Sequence, residues 1–317
     1  MRLLIATLAA LFVELAAAQS YPSRAVRIIV PATPGGAIDL IARTLGEKLT
    51  GSLGQAVVVE NKPGAANNLG TDYVAKSPAD GYTLLIIASS HATNKWLYKS
   101  LPYDPVKDFE PVVYTHVVPL LLAVHPSIPA KTLQELTAWV KANPDKAIYA
   151  SSGPGSSLHM AAELYMSMTG TKMQHVPYKG SSAAHPDLLA GRTAMIFDTI
   201  TAIRGHVKAG TLRGIAVTTL KLSSSMPELP TIAESGLPGY DASTWGGILA
   251  PAGTPKDVVM KLNGAMNAAL KQEDVRGKLT GAGIEVQGGT PAEFSEVIKT
   301  EIEKWGRVVK QAGIEPE

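Results

Sequence analysis

Two stretches of this sequence place glycines and hydroxyls at the spacing of an anion cradle. Thr33, Gly35, Gly36, Ala37 and Asp39 lie in "PATPGGAID", and Ser152, Gly155, Ser156, Ser157 and His159 lie in "SSGPGSSLH". Each follows an apolar, strand-like run and precedes a helical pattern. A helix N-terminus offers unpaired N–H groups and the positive end of the helix dipole. Glycine lets the backbone turn tightly and approach a ligand. Such a cradle suits a carboxylate or phosphate without any cationic side chain. The nucleotide signatures are missing, since neither loop reads GxxxxGK[ST] and the first has no GxGxxG. Nor is "SSGPGSS" a GxSxG nucleophile elbow. The plainer account is that glycines make turns and Ser caps helices. It suffices for either loop alone. Two loops of one kind, more than a hundred residues apart, put the two accounts level.

Other residues with chemistry to offer are scattered. The histidines stand at 91, 116, 125, 159, 175, 185 and 206, with no HExxH or other tight ligand spacing. No metal or cofactor is therefore expected. His159 falls in the first turn after the second glycine loop. Asp198 ends the apolar run "AMIF", and a carboxylate at a strand's C-terminal end suits an α/β ligand crevice. Capping the next turn through Thr199 would explain it nearly as well. No base, nucleophile and orienting group come together, so no catalytic residue is assigned.

The elements that must position these loops alternate. Strand candidates are "VRIIV", "AVVVE", "GYTLLIIAS", "LLLAVHP", "KAIYASS", "TAMIFDT", "LRGIAVTT" and "WGGILAP". Between them, helical stripes recur with the 3.6-residue period: Ile38, Ile41, Leu45 and Leu49; then Leu158, Ala161, Tyr165 and Met168. Two closing helices carry Val259, Leu262, Met266 and Leu270, then Phe294, Ile298, Ile302, Trp305 and Val309. Strand–helix alternation predicts an α/β fold with largely parallel sheets. Each glycine loop would open one of two lobes, both helix N-termini facing a shared cleft.

The chain has 317 residues, enough for two medium lobes, and 29 basic against 27 acidic residues. A net charge of +2 leaves no electrostatic footprint for nucleic acid. The opening "MRLLIATLAALFVELAAAQS" reads as a secretory signal, with cleavage expected after Ala18. The chain has no cysteine, so neither a disulfide nor a lipidated N-terminal Cys is available. The mature protein is expected to be free of the membrane.

The same residues carry a resemblance over the whole mature chain. "YPSRAVRIIVPATPGGAIDLIARTLGEKL", "VVVENKPGAANNLGTDYVAKSPADGYTLL", "LPYDPVKDFEPV", "YASSGPGSSLHMAAELY", "HVPYKGSSAA", "AMIFDT" and "LPTIAESGLPGYDASTWGGILAPAGTP" resemble, in order and spacing, the Bug family. These are extracytoplasmic receptors of tripartite tricarboxylate transport systems. The resemblance implies a periplasmic, type II-like, two-lobed binding protein that closes like a flytrap on a small carboxylate. It implies delivery to transporter subunits or a sensor, and a monomer. Lobe one would hold residues 22–121 and 246–317, and lobe two residues 122–245. The loops 32–39 and 151–157 would grip a carboxylate. Ser90, His91 and Asn94 in "SSHATN", with Asp198, would neighbour the ligand's far end. The chain departs from the family pattern at Thr33, at Pro154, at His185-Pro186, and in "PGAANNLG" where "PGAGGNIG" is usual. An exported enzyme using the same cleft is the alternative: it would convert the carboxylate, where a receptor returns it unchanged.

Overall fold

The computed structural model describes residues 21–316. The expected signal peptide and its cleavage point lie outside the described residues.

The opening unit shows why the alternation folds as it does. Strand β1 (Val26–Val30) has no polar residue but Arg27, and its apolar side chains are buried on both faces. Helix α1 (Ala37–Leu53) buries Ile38, Ile41, Leu45 and Leu49 against it and ends at Gly54, where φ is 69°. Left-handed backbone at that position favours glycine. Each fully buried Leu or Ile contributes about 1.5–3 kcal/mol, so this stripe holds the helix far more firmly than propensity does. Strand β2 (Val57–Asn61), helix α2 (Asn68–Ala75), strand β3 (Thr83–Ile86) and helix α3 (Ser90–Leu97) complete the unit. β1 pairs in parallel with both β2 and β3.

Strand β4 (Phe109–Val124) is 16 residues long and runs through both halves of the molecule. Beyond it come helix α4 (Leu133–Ala142), strand β5 (Ile148–Ser151), helix α5 (Ser157–Thr169), strand β6 (Gln174–Pro177), helix α6 (Ser181–Leu189), strand β7 (Met195–Thr199), helix α7 (Ile200–Lys208) and strand β8 (Arg213–Val217). The chain returns along strand β9 (Ser243–Pro251) to helix α8 (Lys256–Leu270), helix α9 (Glu273–Gly281), strand β10 (Glu285–Val286) and helix α10 (Pro291–Ala312). The sheet order is β2-β1-β3-β9-β4-β7-β5-β6, with β8 and β10 also on β4. The parallel pairs are the outer ones: β1 with β2 and β3, and β5 with β6 and β7. Strand β4, which crosses between the halves, pairs antiparallel with β9 along Phe109–Pro119 and with β7 along Leu120–Val124. Pro119 stands where the partner changes. Proline has no N–H to give a ladder and is tolerated where the ladder breaks. At the change, Thr218 Oγ1 takes the Leu120 N–H at 3.1 Å.

Two hydrophobic cores result. One lies under α1, α8 and α9, around Ile28, Leu45, Ile248, Leu262 and Met266. The other joins Leu122, Tyr149, Tyr165 and Phe197 to Phe294, Ile302 and Trp305 of α10. The last helix therefore packs on α3, β4 and α5 together. Of the stripe expected on α5, Leu158, Ala161 and Tyr165 are buried but Met168 is exposed. β6 and β10 were not among the strand candidates; β6 is short and only partly buried, and β10 has two residues.

Candidate functional site

Each glycine loop sits between a strand end and a helix start, and the two are built alike. In the first, Gly36 caps α1, Gly35 has φ of 93°, and Asp39 lies in the first turn. The Gly35 N–H donates to Asp39 Oδ2 at 3.0 Å. Asn61 Nδ2 donates to Asp39 Oδ1 at 2.9 Å and to the Ala32 carbonyl at 3.0 Å, and Arg43 Nε donates to Asp39 Oδ2 at 3.0 Å. The Arg43 hydrogen bond, with those from Gly35 and Asn61, outweighs burial and holds the Asp39 pKa at about 2. Asp39 is buried, while Thr33, Gly35, Gly36 and Ala37 are exposed.

In the second loop, Ser156 caps α5, its Oγ accepting the His159 N–H at 3.3 Å and donating to the Gly153 carbonyl at 2.7 Å. The Gly155 N–H donates to His159 Nδ1 at 3.0 Å. Nδ1 is therefore the unprotonated nitrogen, and Nε2 carries its hydrogen towards Glu163 Oε1 at 3.4 Å. Glu163 also accepts from Tyr149 Oη at 2.7 Å. Burial would raise the Glu163 pKa, but the hydrogen bonds from His159 and Tyr149 leave it lowered. His175 stacks on His159 with ring centres 4.3 Å apart and meets Ser151 Oγ at 2.7 Å. Burial, aided by His159, lowers the His175 pKa to about 4. His159 thus lies beneath the loop and braces it.

The loop meets the far half of the molecule across a cavity of about 290 Å³. Ser152, Pro154, Gly155 and Ser156 form one wall, and Ala66, Asn67, Ser90, Asn94, Leu97 and Tyr98 the other, with Ile314 and Glu315 at the edge. Leu97 sits so close to Gly155 that a Cβ there would lie 2.3 Å from Leu97 Cδ1. No Lys or Arg is among the lining residues. Of the expected site residues, Ser90, Asn94, Ser152, Gly155 and Ser156 come together here. Thr33, Gly35, Gly36 and Ala37 do not line this cavity, although Pro31, at the root of their loop, lines a small adjoining void with Asn67, Ser90 and Asn94.

The remaining expected residues do not line the cavity. Ser157 is the first helical residue of α5. His91 is buried between Tyr103 and Phe109, and its Nε2 meets the Pro105 carbonyl at 2.8 Å. Burial lowers its pKa to about 4. Asp198 is wholly buried, with Oδ2 on His185 Nε2 at 2.8 Å and Oδ1 on the Thr199 N–H at 2.7 Å. Sequence reasoning missed Ala66, Asn67, Leu97, Tyr98, Ile314 and Glu315. For Asn67 a signal existed: "PGAANN" follows a strand, and Asn is among the few side chains at ease in left-handed backbone. Among the described residues no His, Cys, Asp or Glu cluster could hold a metal ion, and no helix is long and apolar enough to cross a membrane.

A sequence model described as "Tripartite tricarboxylate transporter family receptor" matches residues 41–314. The chain is 39% identical to an R. palustris protein solved with adipate, with a TM-score of 0.80 over 94% of this chain and 100% of that one. It is 34% identical to the periplasmic binding protein BugD, with a TM-score of 0.77 over 94% and 100%. MatC of Rhodopseudomonas palustris, solved with malate, is 32% identical, with a TM-score of 0.76 over 91% and 100%.

Proposed function

Because this chain belongs to the tripartite tricarboxylate transporter receptor family, we propose that it is a periplasmic receptor which captures one small organic carboxylate between two lobes and releases it unchanged. The observation that carries this reading is the cavity between the Ser90–Asn94 wall and the Ser152–Ser156 loop, where hydroxyls, amides and a helix N-terminus stand among apolar Ala66, Leu97 and Ile314, with Glu315 the one charged residue and no cation in the lining. Recognition then comes from backbone N–H groups, Ser hydroxyls and the dipole of α5, with water filling gaps. Two relatives, 39% and 32% identical, were solved with carboxylic acids, adipate and malate, which supports the ligand class.

In this reading, lobe one comprises residues 22–121 and 246–317 and lobe two residues 122–245, turning about the crossing at Pro119 and Ser243. Loop one, with Thr33, Gly35, Gly36 and Ala37 exposed, closes onto the ligand as the lobes come together. The leader 1–18 is removed on export. The mature monomer hands its ligand to membrane transporter subunits or to a sensor.

A thermal-shift screen against a carboxylate library, followed by calorimetry on the tightest acid and its methyl ester, tests the proposal. At roughly a hundred times Kd, a ligand stabilises by about 2.7 kcal/mol, which is readily seen as a rise in Tm. The acid is expected to bind one per chain, to be recovered intact, and to outbind its ester. An ester that binds as well as the acid, or an acid that is converted, would overturn the reading.

A further inference from the structure

The cavity wall opposite loop two is delivered by an unusual turn. Ala65, Ala66 and Asn67 follow one another with φ of 47°, 49° and 78°. Left-handed backbone is unfavourable for alanine and only tolerated by Asn, and three such residues in succession persist only where the surroundings over-determine them. Here they do. Asn94, itself buried, donates from Nδ2 to the Ala66 carbonyl at 2.9 Å and to Asn68 Oδ1 at 2.8 Å. Tyr103 Oη donates to the same Asn68 Oδ1 at 2.6 Å.

The turn does not need the Asn67 side chain. Asn67 is the residue before α2, yet it makes no side-chain capping bond to that helix. Glycine would adopt its φ at no steric cost. The amide instead crosses to α3, where Nδ2 donates to Ser90 Oγ at 2.8 Å, and both residues line the cavity. Since Ser90 Oγ accepts from Asn67, its own proton is free to point elsewhere, and Asn67 keeps a second N–H and a carbonyl oxygen. The pair offers donors and an acceptor without formal charge. It faces Ser152 and Ser156 across the cavity, so a ligand gripped at loop two ends against it.

We propose that Asn67 is a specificity-determining residue: with Ser90 it hydrogen-bonds the end of the acid farther from loop two, and its side chain sets the longest acid that fits. This rests on the carboxylate-receptor reading above. The test is calorimetry on wild type, Asn67→Gly and Ser90→Ala with the linear dicarboxylates from malonate to pimelate, beside melting curves without ligand. In Asn67→Gly the ligand-free Tm is expected to hold or rise, because glycine relaxes the turn. Affinity for the wild type's best acid is expected to fall roughly tenfold or more, and the preferred length to move to a longer acid. Ser90→Ala is expected to weaken the same acid without that shift in length. An unchanged length optimum with Kd within about twofold in Asn67→Gly overturns the proposal. So does a lowered Tm with equal weakening of every acid, which marks a structural role. Wild type binding none of these linear acids also overturns the role given to Asn67, whereas only wild type binding no acid of the wider carboxylate library defeats the carboxylate reading itself.

Discussion

His159 Nδ1 accepts the Gly155 N–H at 3.0 Å, across four residues, beneath the loop that lines the cavity. The first glycine loop repeats the arrangement with Asp39 and Gly35, also at 3.0 Å. In both, a side chain in the first helical turn reaches back to the glycine before the cap and fixes the loop. These two side chains shape the cradles.

Removing the brace should therefore act on binding through loop geometry. His159→Phe keeps an aromatic ring to stack on His175 but leaves the Gly155 N–H without its acceptor. Stability is expected to fall by about 1–3 kcal/mol, the penalty for one unpaired polar group, and affinity for the best acid by roughly tenfold. His159→Gln, which can still accept, is expected to recover part of both. Calorimetry and melting curves on the two variants check this; equal affinity in all three proteins would remove loop two from recognition.

The Asp198 carboxylate has both oxygens engaged, by His185 and by the Thr199 N–H. Asp198→Ala is expected to lower stability by about 1–3 kcal/mol, seen as a lower Tm. Affinity is expected to stay within about threefold, because the carboxylate is fully buried against α6. Tenfold weaker binding at unchanged Tm would instead place Asp198 on the ligand.

Stability should fall on mild acidification. Burial lowers the His91 pKa from 6.5 to about 4. Below about pH 6.5 the unfolded chain takes up a proton that folded His91 refuses, so stability declines as pH falls from 6.5 towards 4 and levels off below. For this one fully buried ring the loss is on the order of 3 kcal/mol at most. His175, also lowered to about 4, adds in the same direction and the same window. Asp39, lowered to about 2, stays charged there and contributes no loss until pH falls below about 4. Melting temperatures at about pH 7 and about pH 5 should differ less in His91→Gln than in wild type; equal slopes would refute the assignment.

Strand β9 has no room for a side chain at Gly246 or Gly247. A Cβ on Gly246 would lie 1.8 Å from the Ile87 carbonyl oxygen, and one on Gly247 would lie 2.3 Å from that of Val113. Both obstacles are backbone, so they cannot rotate away. Gly246→Ala is expected to cost roughly 3 kcal/mol or more, beyond the usual range for a surface change. Gly264→Ala, with open space around it, is the control and is expected to be neutral or stabilising. Denaturant unfolding of the pair decides it.

Local pattern determined much of this protein. Ile38, Ile41, Leu45 and Leu49 recur at the helical period and are buried as α1, and the buried runs "VRIIV" and "MIF" are strands, because apolar spacing decides which face leaves water. The two loops were legible from glycine, serine and the helices after them. What the tertiary structure decided is everything that depends on a partner distant in sequence. Nothing local says that β4 runs 16 residues and changes partners at Pro119. Nothing local says that α10 packs on α5, or that His185 spends its Nε2 on Asp198. Asn67 shows the limit most sharply. Its type permits a left-handed turn, but only the fold brings that turn within 2.8 Å of Ser90 and sets both against loop two across one cavity. Local sequence selects backbone conformations, whereas a site is made of contacts between them, and those contacts form only once the cores have closed.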